Sequence, residues 1–194
     1  SSWWKQLRKF CDDTGILMIL DEVLVGFGRC QENFAFQKYG IKPDMVCMSK
    51  GITGGYIPFG AVYTSSEICD FYETRMLSNG LTNYAHPLGL ACMSTVIDTL
   101  TDSSFSENKI SLERDFAIQV NNLKKINGVN EIRSQGLLTA IQTDKLELGW
   151  EDFWKHGVYA YIKQGMLILA PPFILSTNEL RELMERVEEV LKLD

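Results

Sequence analysis

The chain has 194 residues, of which 45% are hydrophobic, and it carries a net charge of −6 with a pI near 5.0. This length and composition favour a globular protein with a packed core. Acidic and basic residues are interspersed, so the sequence has no basic stripe, and no apolar run is as long as a membrane span. We therefore expect a cytoplasmic protein that binds neither nucleic acid nor a membrane.

The cysteines are widely spaced, odd in number and free of any Cys-x-x-Cys pair. Structural zinc requires clustered cysteine and histidine ligands, so we expect no metal site. We expect reduced thiols that act mostly as small buried hydrophobic residues. They are Cys11, Cys30, Cys47, Cys69 and Cys92.

The first half of the chain predicts helices that alternate with buried strands. Apolar residues at helical spacing predict a helix over 2–14. The unbroken apolar run "ILMIL" at 16–20 predicts a strand of a parallel sheet that is covered on both faces. "DMVCMS" at 44–49 and "GAVYT" at 60–64 predict two further strands, and the glycine-rich segment 50–60 between them predicts a loop.

Three helical segments follow. Helices are predicted over 66–76 and 87–100, and a longer amphipathic helix over 106–128. The apolar residues that we expect to face inward from this last helix are Ile110, Phe116, Ile118, Val120 and Leu123.

The C-terminal part of the chain changes in character. It predicts two strands within 129–144, a helix over 150–165, a strand over 166–170 and a last helix over 176–193. The cap chemistry of the last helix is provided by Ser176, Thr177 and Glu179.

This order of elements predicts two domains. We expect an α/β domain with a mostly parallel sheet over 1–105 and a small α+β domain over 106–194.

Two residues of opposite charge follow neighbouring predicted strands. Asp21 comes directly after "ILMIL", and Lys50 comes directly after "DMVCMS". Ligands of open α/β sheets bind outside the carboxyl ends of the strands, so the two side chains are candidates for one pocket. The alternative is an ordinary surface ion pair. A lysine among glycines at a sheet edge is also a candidate for Schiff-base formation.

Three segments occur in a fixed order: "ILMILDEVLVGFGR", "FAFQKYGIKPDMVCMSKGITGGYIPFGAV" and "GLTNYAHPLGLA". They resemble the class III aminotransferases, which are pyridoxal-phosphate enzymes of the aspartate-aminotransferase fold (fold type I). The resemblance continues through "EIRSQGLLTAI" and "GMLILAPPFILSTNEL". It implies that residues 1–105 are the C-terminal part of the large cofactor-binding domain and that 106–194 form the small C-terminal domain.

The resemblance implies pyridoxal 5'-phosphate as the cofactor and gives four residues a role. Lys50 would form the internal aldimine with the cofactor aldehyde, and Asp21 would bind the pyridine nitrogen. Val23 would pack against one face of the ring. Thr82 would hydrogen-bond the phosphate, usually from the neighbouring subunit of a homodimer. Glu22 either touches the cofactor region or simply completes the acidic loop.

The implied reaction moves an amino group from an amine or ω-amino acid to a 2-oxo acid. Family members are longer, and the part that is missing here is N-terminal. The alternatives are therefore a non-catalytic remnant, or a split half that needs an N-terminal partner. Another reaction of the same cofactor, an aminomutase or a decarboxylase, is a further alternative. Leu24 and Cys30 depart from the residues that are usual in the family.

Overall fold

The structure is a computed structural model that describes residues 2–193. The chain divides into two compact units, Ser1–Asp102 and Ser103–Asp194. The helices of the first unit are α1 (Ser2–Thr14), α2 (Ser66–Glu73) and α3 (Pro87–Thr101). Its strands are β1 (Ile19–Asp21), β2 (Met45–Met48) and β3 (Ala61–Thr64).

The sheet of the first unit has the order β1-β2-β3. β1 and β2 are parallel, and Asp21 is in register with Cys47. β3 is antiparallel to β2, so the described sheet combines one parallel and one antiparallel pairing. Parallel neighbours require a crossover, usually an α-helix. The segment between β2 and β3 contains only a 3-10 helix, Lys50–Thr53, and a loop, so the chain reverses direction.

α1 packs against the β1 side of one face of this sheet. Cys11 of α1 packs with Met18 and Ile41, and partly buried side chains surround this cluster. The other face has little cover from the described residues, because Ile19 is 57% exposed and Val62 is 59% exposed. The expectation that "ILMIL" is covered on both faces was therefore wrong for the residues that the structure describes.

The second unit has an antiparallel sheet of order β4-β5-β7-β6. Its core contains buried residues from both helices and strands, including Phe116, Ile141, Leu167 and Val187. The strands are β4 (Val129–Gln135), β5 (Leu138–Thr143), β6 (Tyr161–Lys163) and β7 (Met166–Leu169). The helices are α4 (Ser103–Leu123), α5 (Trp150–Lys155) and α6 (Thr177–Leu191).

The buried stripe of α4 differs from the prediction. Phe116, Val120 and Leu123 are buried as expected. Ile110 and Ile118 are 62% and 57% exposed, so their inward placement was wrong. The buried residues follow the i, i+4, i+7 spacing of a single helical face, and the two isoleucines fall outside that face.

The predicted helix over 150–165 is half wrong, because α5 ends at Lys155 and β6 follows it. Gly157 has a φ of +75°, which a continuing helix does not permit. From 158 to 163 buried and exposed residues alternate, which is the period of a strand. The predictions of β4, β5, β7 and α6 are confirmed.

The cysteines form no disulfide within residues 2–193. Cys11 and Cys30 are buried and Cys69 is exposed, while the remaining two are half-buried, so the expectation of mostly buried thiols holds for only part of the set. Within residues 2–193, no helix is long and apolar enough to cross a membrane. In the same range, no group of His, Cys, Asp and Glu side chains is arranged to hold a metal ion.

Candidate active site

Asp21 and Lys50 lie at the same edge of the first sheet. β1 ends at Asp21, which is in register with Cys47 of β2, and Lys50 begins the 3-10 helix that follows β2. Because the two strands are parallel, their carboxyl ends meet at one edge. The fold therefore brings an acidic and a basic side chain to neighbouring strand ends.

The Asp21 carboxylate is exposed and is held by its own loop. Its Oδ1 accepts a hydrogen bond of 2.9 Å from the Val23 amide. This bond fixes the carboxylate relative to the backbone and leaves it exposed to a ligand. Val23 itself is half-buried and belongs to the turn that follows β1.

Lys50 has an exposed side chain on an unusual backbone. Its φ is +48°, in the left-handed region that residues with a Cβ seldom adopt. Such a conformation persists only where the surroundings determine it, and it is found preferentially at functional sites. Among residues 2–193, we find no hydrogen bond or ion pair of the Lys50 amine.

The loop after Lys50 is tied down by two side-chain hydroxyls. Thr53, which is buried, donates to the Ile57 carbonyl at 2.6 Å. Ser49 donates to the Phe59 carbonyl at 3.0 Å. These bonds hold the two sides of the loop together and thereby support the backbone on which Lys50 stands.

α3 begins close to this loop. The Phe59 ring occupies the space that a side chain at Gly89 would need, so helix and loop contact each other directly. Thr82 lies in an exposed turn before α3. Because the resemblance implies that Thr82 acts from the neighbouring subunit, its contact with the phosphate stays a prediction.

Glu22 is a residue whose importance the sequence did not reveal. It is only 3% exposed, whereas the neighbouring Asp21 is exposed. Its carboxylate accepts hydrogen bonds of 2.9 Å from the amides of Ala35 and Phe36. Glu22 therefore completes the loop, as one of the two interpretations of the sequence predicted.

An apolar cavity of about 340 Å³ lies elsewhere in the first unit, and Val46 and Tyr63 are among its lining residues. Val46 is in register with Leu20, so its side chain points to the face of the sheet opposite to Asp21. This cavity is separate from the edge that carries Asp21 and Lys50.

Comparison with known proteins gives a consistent result. The family described as aminotransferase class-III matches residues 1–191. An omega-aminotransferase of Caulobacter vibrioides is 30% identical to the chain over 96% of its length, and a beta-alanine–pyruvate aminotransferase of Pseudomonas aeruginosa is 31% identical over 96%. The alignments cover 46% and 45% of those proteins, so the chain spans about half the length of these relatives.

Solved structures share the fold. An amine transaminase from an uncultivated Pseudomonas species, determined in its PLP-bound form, superposes with a TM-score of 0.88 and 28% identity. The superposition covers 97% of this chain and 47% of that one. The expected aspartate-aminotransferase-like α/β fold is confirmed by this likeness.

Proposed function

We propose, from the premise that this chain belongs to the class-III aminotransferase family, that it provides the cofactor-anchoring residues of a transaminase. The whole protein would transfer an amino group from an amine or ω-amino acid to a 2-oxo acid. Pyridoxal 5'-phosphate is the cofactor indicated by the family and by the PLP-bound neighbour. The observation that carries the proposal is the position of Asp21 and Lys50 at the carboxyl ends of two paired parallel strands.

The side chains at this edge fit the cofactor chemically. An exposed carboxylate at Asp21 suits a ring nitrogen, because a nearby negative charge favours the protonated pyridine. An exposed primary amine at Lys50 suits an aldehyde. When bound, pyridoxal phosphate supplies an electron sink for the substrate carbon that loses a proton.

Each residue then has a distinct task in the proposal. Lys50 would hold the cofactor through its amine and would move a proton at the substrate carbon. Asp21 holds the proton of the ring nitrogen in place. Val23 packs against the ring, since a branched apolar side chain excludes water from one face. The Thr82 hydroxyl donates to the phosphate, in the homodimer of the full-length protein.

The proposal extends to organisation and location. Residues 1–105 would be the C-terminal part of the large cofactor-binding domain, and 106–194 the small domain. We propose a cytoplasmic location, since cysteines that form no disulfide within residues 2–193 are typical of a reducing compartment.

Covalent labelling tests the role of Lys50. The chain is incubated with pyridoxal phosphate, reduced with borohydride and mapped by peptide mass spectrometry. We expect the adduct on Lys50, no adduct in Lys50→Ala, and an unchanged adduct in the control Lys42→Ala, which removes another exposed lysine of the same unit. Labelling scattered over several lysines, or none at Lys50, would refute the proposal.

The assay of the reaction separates transamination from the other chemistries of the cofactor. 4-Aminobutyrate, whose aldehyde product is not a β-oxo acid and therefore keeps its carboxylate, is supplied together with pyruvate, and alanine and carbon dioxide are measured. Transamination yields amino acid without carbon dioxide, whereas a decarboxylase releases the gas and an aminomutase yields an isomer of the donor.

The exposed side of β1 supports a second candidate function. Ile16, Leu17 and Ile19 are each more than half exposed, and β1 has a free edge in the described sheet. Contiguous apolar surface beside a free strand edge is typical of a surface that another polypeptide covers. The chain would then be a split half or a non-catalytic remnant that requires an N-terminal partner. Transamination catalysed by the chain alone would exclude this second candidate.

A further inference from the structure

Glu22 has an environment opposite to that of Asp21, although the two residues are adjacent. Its carboxylate is buried, at 3% exposure, and each of its two oxygens accepts a backbone amide at 2.9 Å. The amides belong to Ala35 and Phe36, the first residues of a 3-10 helix, Ala35–Tyr39. A buried carboxylate is tolerated only where hydrogen bonds replace its water, and bonds to an ionised acceptor are among the strong ones.

The backbone of Glu22 is bonded in two further directions. Its amide donates to the Cys47 carbonyl of β2 at 2.9 Å, which continues the pairing of β1 with β2. Its carbonyl accepts from the Gly26 amide at 2.9 Å, inside the loop. Glu22 thus connects the sheet, the beginning of the loop over 22–36 and the end of that loop.

The same loop lies against the segment that carries Lys50. Phe27 is 6% exposed, and its ring packs edge-on against Phe34 with 5.2 Å between centroids. A Cβ built on Gly51 would stand 2.8 Å from the Phe27 Cβ, so the backbone next to Lys50 rests directly on Phe27. A displacement of the loop would therefore reach the residue adjacent to Lys50.

We propose that Glu22 is a positioning residue, which holds the loop over 22–36 so that this loop fixes Lys50 relative to Asp21. The proposal rests on the proposed function for the identity of the ligand. Glu22 does not contact the ligand in this arrangement, and its effect passes through Ala35, Phe34 and Phe27 to Gly51. The left-handed φ of Lys50 requires support of this kind from its surroundings.

Glu22→Gln is the matched substitution, because it preserves shape and removes the charge. One amide of the pair keeps an oxygen acceptor, while the other faces an NH₂ group, and a buried donor is left unsatisfied. We expect faster hydrogen exchange at Ala35 and Phe36. We also expect faster exchange at Ile52 and Gly54, whose amides bond within the Lys50 segment at 3.1 and 3.0 Å.

Cofactor binding supplies the second measurement. We expect the affinity for pyridoxal phosphate, measured from the visible absorbance band, to fall by roughly tenfold in Glu22→Gln, while Lys50 remains the labelled residue. Asp44→Asn is the control for a general loss of stability, since Asp44 lies at the opposite end of the same strands. At an equal loss of stability, the control should keep the affinity within about twofold of the unmodified chain.

The outcomes are distinct. Unchanged affinity in Glu22→Gln, or an equal decrease in both variants, would overturn the positioning role. Absence of binding by the unmodified chain would refute the proposed function alone, and the exchange data would then decide the role of Glu22. An effect that spreads to Ile52 and Gly54 supports it, and an effect confined to Ala35 and Phe36 overturns it.

Discussion

Asp44 and Met18 bind each other in both directions across the first two strands. The Met18 amide donates to Asp44 Oδ2 at 2.6 Å, and the Asp44 amide donates to the Met18 carbonyl at 3.0 Å. Arg8 of α1 adds an ion pair of 2.7 Å to the same oxygen. Asp44 therefore fixes the beginnings of β1 and β2, while Asp21 and Lys50 stand at their ends.

Asp44→Asn should destabilise the first unit by about 1–3 kcal/mol, because charge-assisted hydrogen bonds become neutral ones. Burial opposes ionisation, but the bonds from Met18 and Arg8 outweigh it and hold the pKa of Asp44 below its ordinary value. A carboxylate with a lowered pKa stabilises the folded state above its unfolded pKa of about 4, and this stabilisation is lost as the pH falls through its folded pKa. The difference in unfolding free energy between Asp44→Asn and the unmodified protein should therefore be largest at neutral pH and decrease in acid.

Urea unfolding at a series of pH values measures this difference. The control is Asp13→Asn, which removes an exposed carboxylate of the same unit, paired with Lys9 on the surface. We expect no comparable change from it, since exposed pairs contribute little. A difference between the Asp44→Asn variant and the unmodified protein that is the same at every pH would contradict the assigned role of the charge.

Gly51→Ala tests the contact between the Lys50 segment and the loop. The new methyl group would meet the Cβ of Phe27, an atom next to the backbone that cannot swing aside. We expect a loss of about 1–3 kcal/mol in unfolding free energy, as for other overpacked sites, together with weaker cofactor binding. The control Gly80→Ala places its methyl group 4.0 Å from its nearest neighbour, Tyr84, and should change neither quantity. Equal behaviour of the two variants would show that the contact is not tight.

Phe116→Ala and Ile118→Ala test which face of α4 is buried. Phe116 is fully buried and Ile118 is 57% exposed. The first substitution should cost about 3–5 kcal/mol because it opens a cavity in the core. The second should stay within about 0.5 kcal/mol, as is usual for exposed positions. Denaturant unfolding of both variants measures the two losses of unfolding free energy. A larger loss in Ile118→Ala than in Phe116→Ala would contradict the assignment of the buried face of α4.

Much of the fold could be predicted because local patterns decide it. Helical spacing identified α1 and α6, and continuous apolar runs identified the core strands β2 and β7. The errors occurred where a pattern fits two structures. Residues 158–163 alternate with the period of a strand, but they directly follow residues with helical spacing, and the two were predicted as one helix. The positive φ of Gly157 separates them in the structure.

Only part of the candidate site could be predicted from the sequence. Position after a strand identified Asp21 and Lys50, since strand ends follow from the apolar runs. The sequence could not separate the roles of Asp21 and Glu22, because adjacent carboxylates look alike until the fold buries one of them. The partners of Glu22 are backbone amides 13 and 14 residues away. Nearly every residue type carries such an amide, so the sequence does not indicate which ones bind Glu22.

Ser176→Ala tests the cap of α6. The Ser176 hydroxyl accepts from the Glu179 amide at 3.3 Å, and the Glu179 carboxylate accepts from the Ser176 amide at 2.8 Å. The substitution should cost about 0.5–2 kcal/mol of unfolding free energy, because an amide of the first turn loses its acceptor.

Bonds from the amide and the hydroxyl of Ser176 also hold the pKa of Glu179 below its ordinary value. Removing the hydroxyl should raise this pKa while leaving part of the shift, which an NMR titration of Glu179 measures. Asn178→Ala alters an exposed residue of the same turn and should leave both quantities unchanged. An unaltered pKa of Glu179 in Ser176→Ala would show that the amide alone holds the carboxylate.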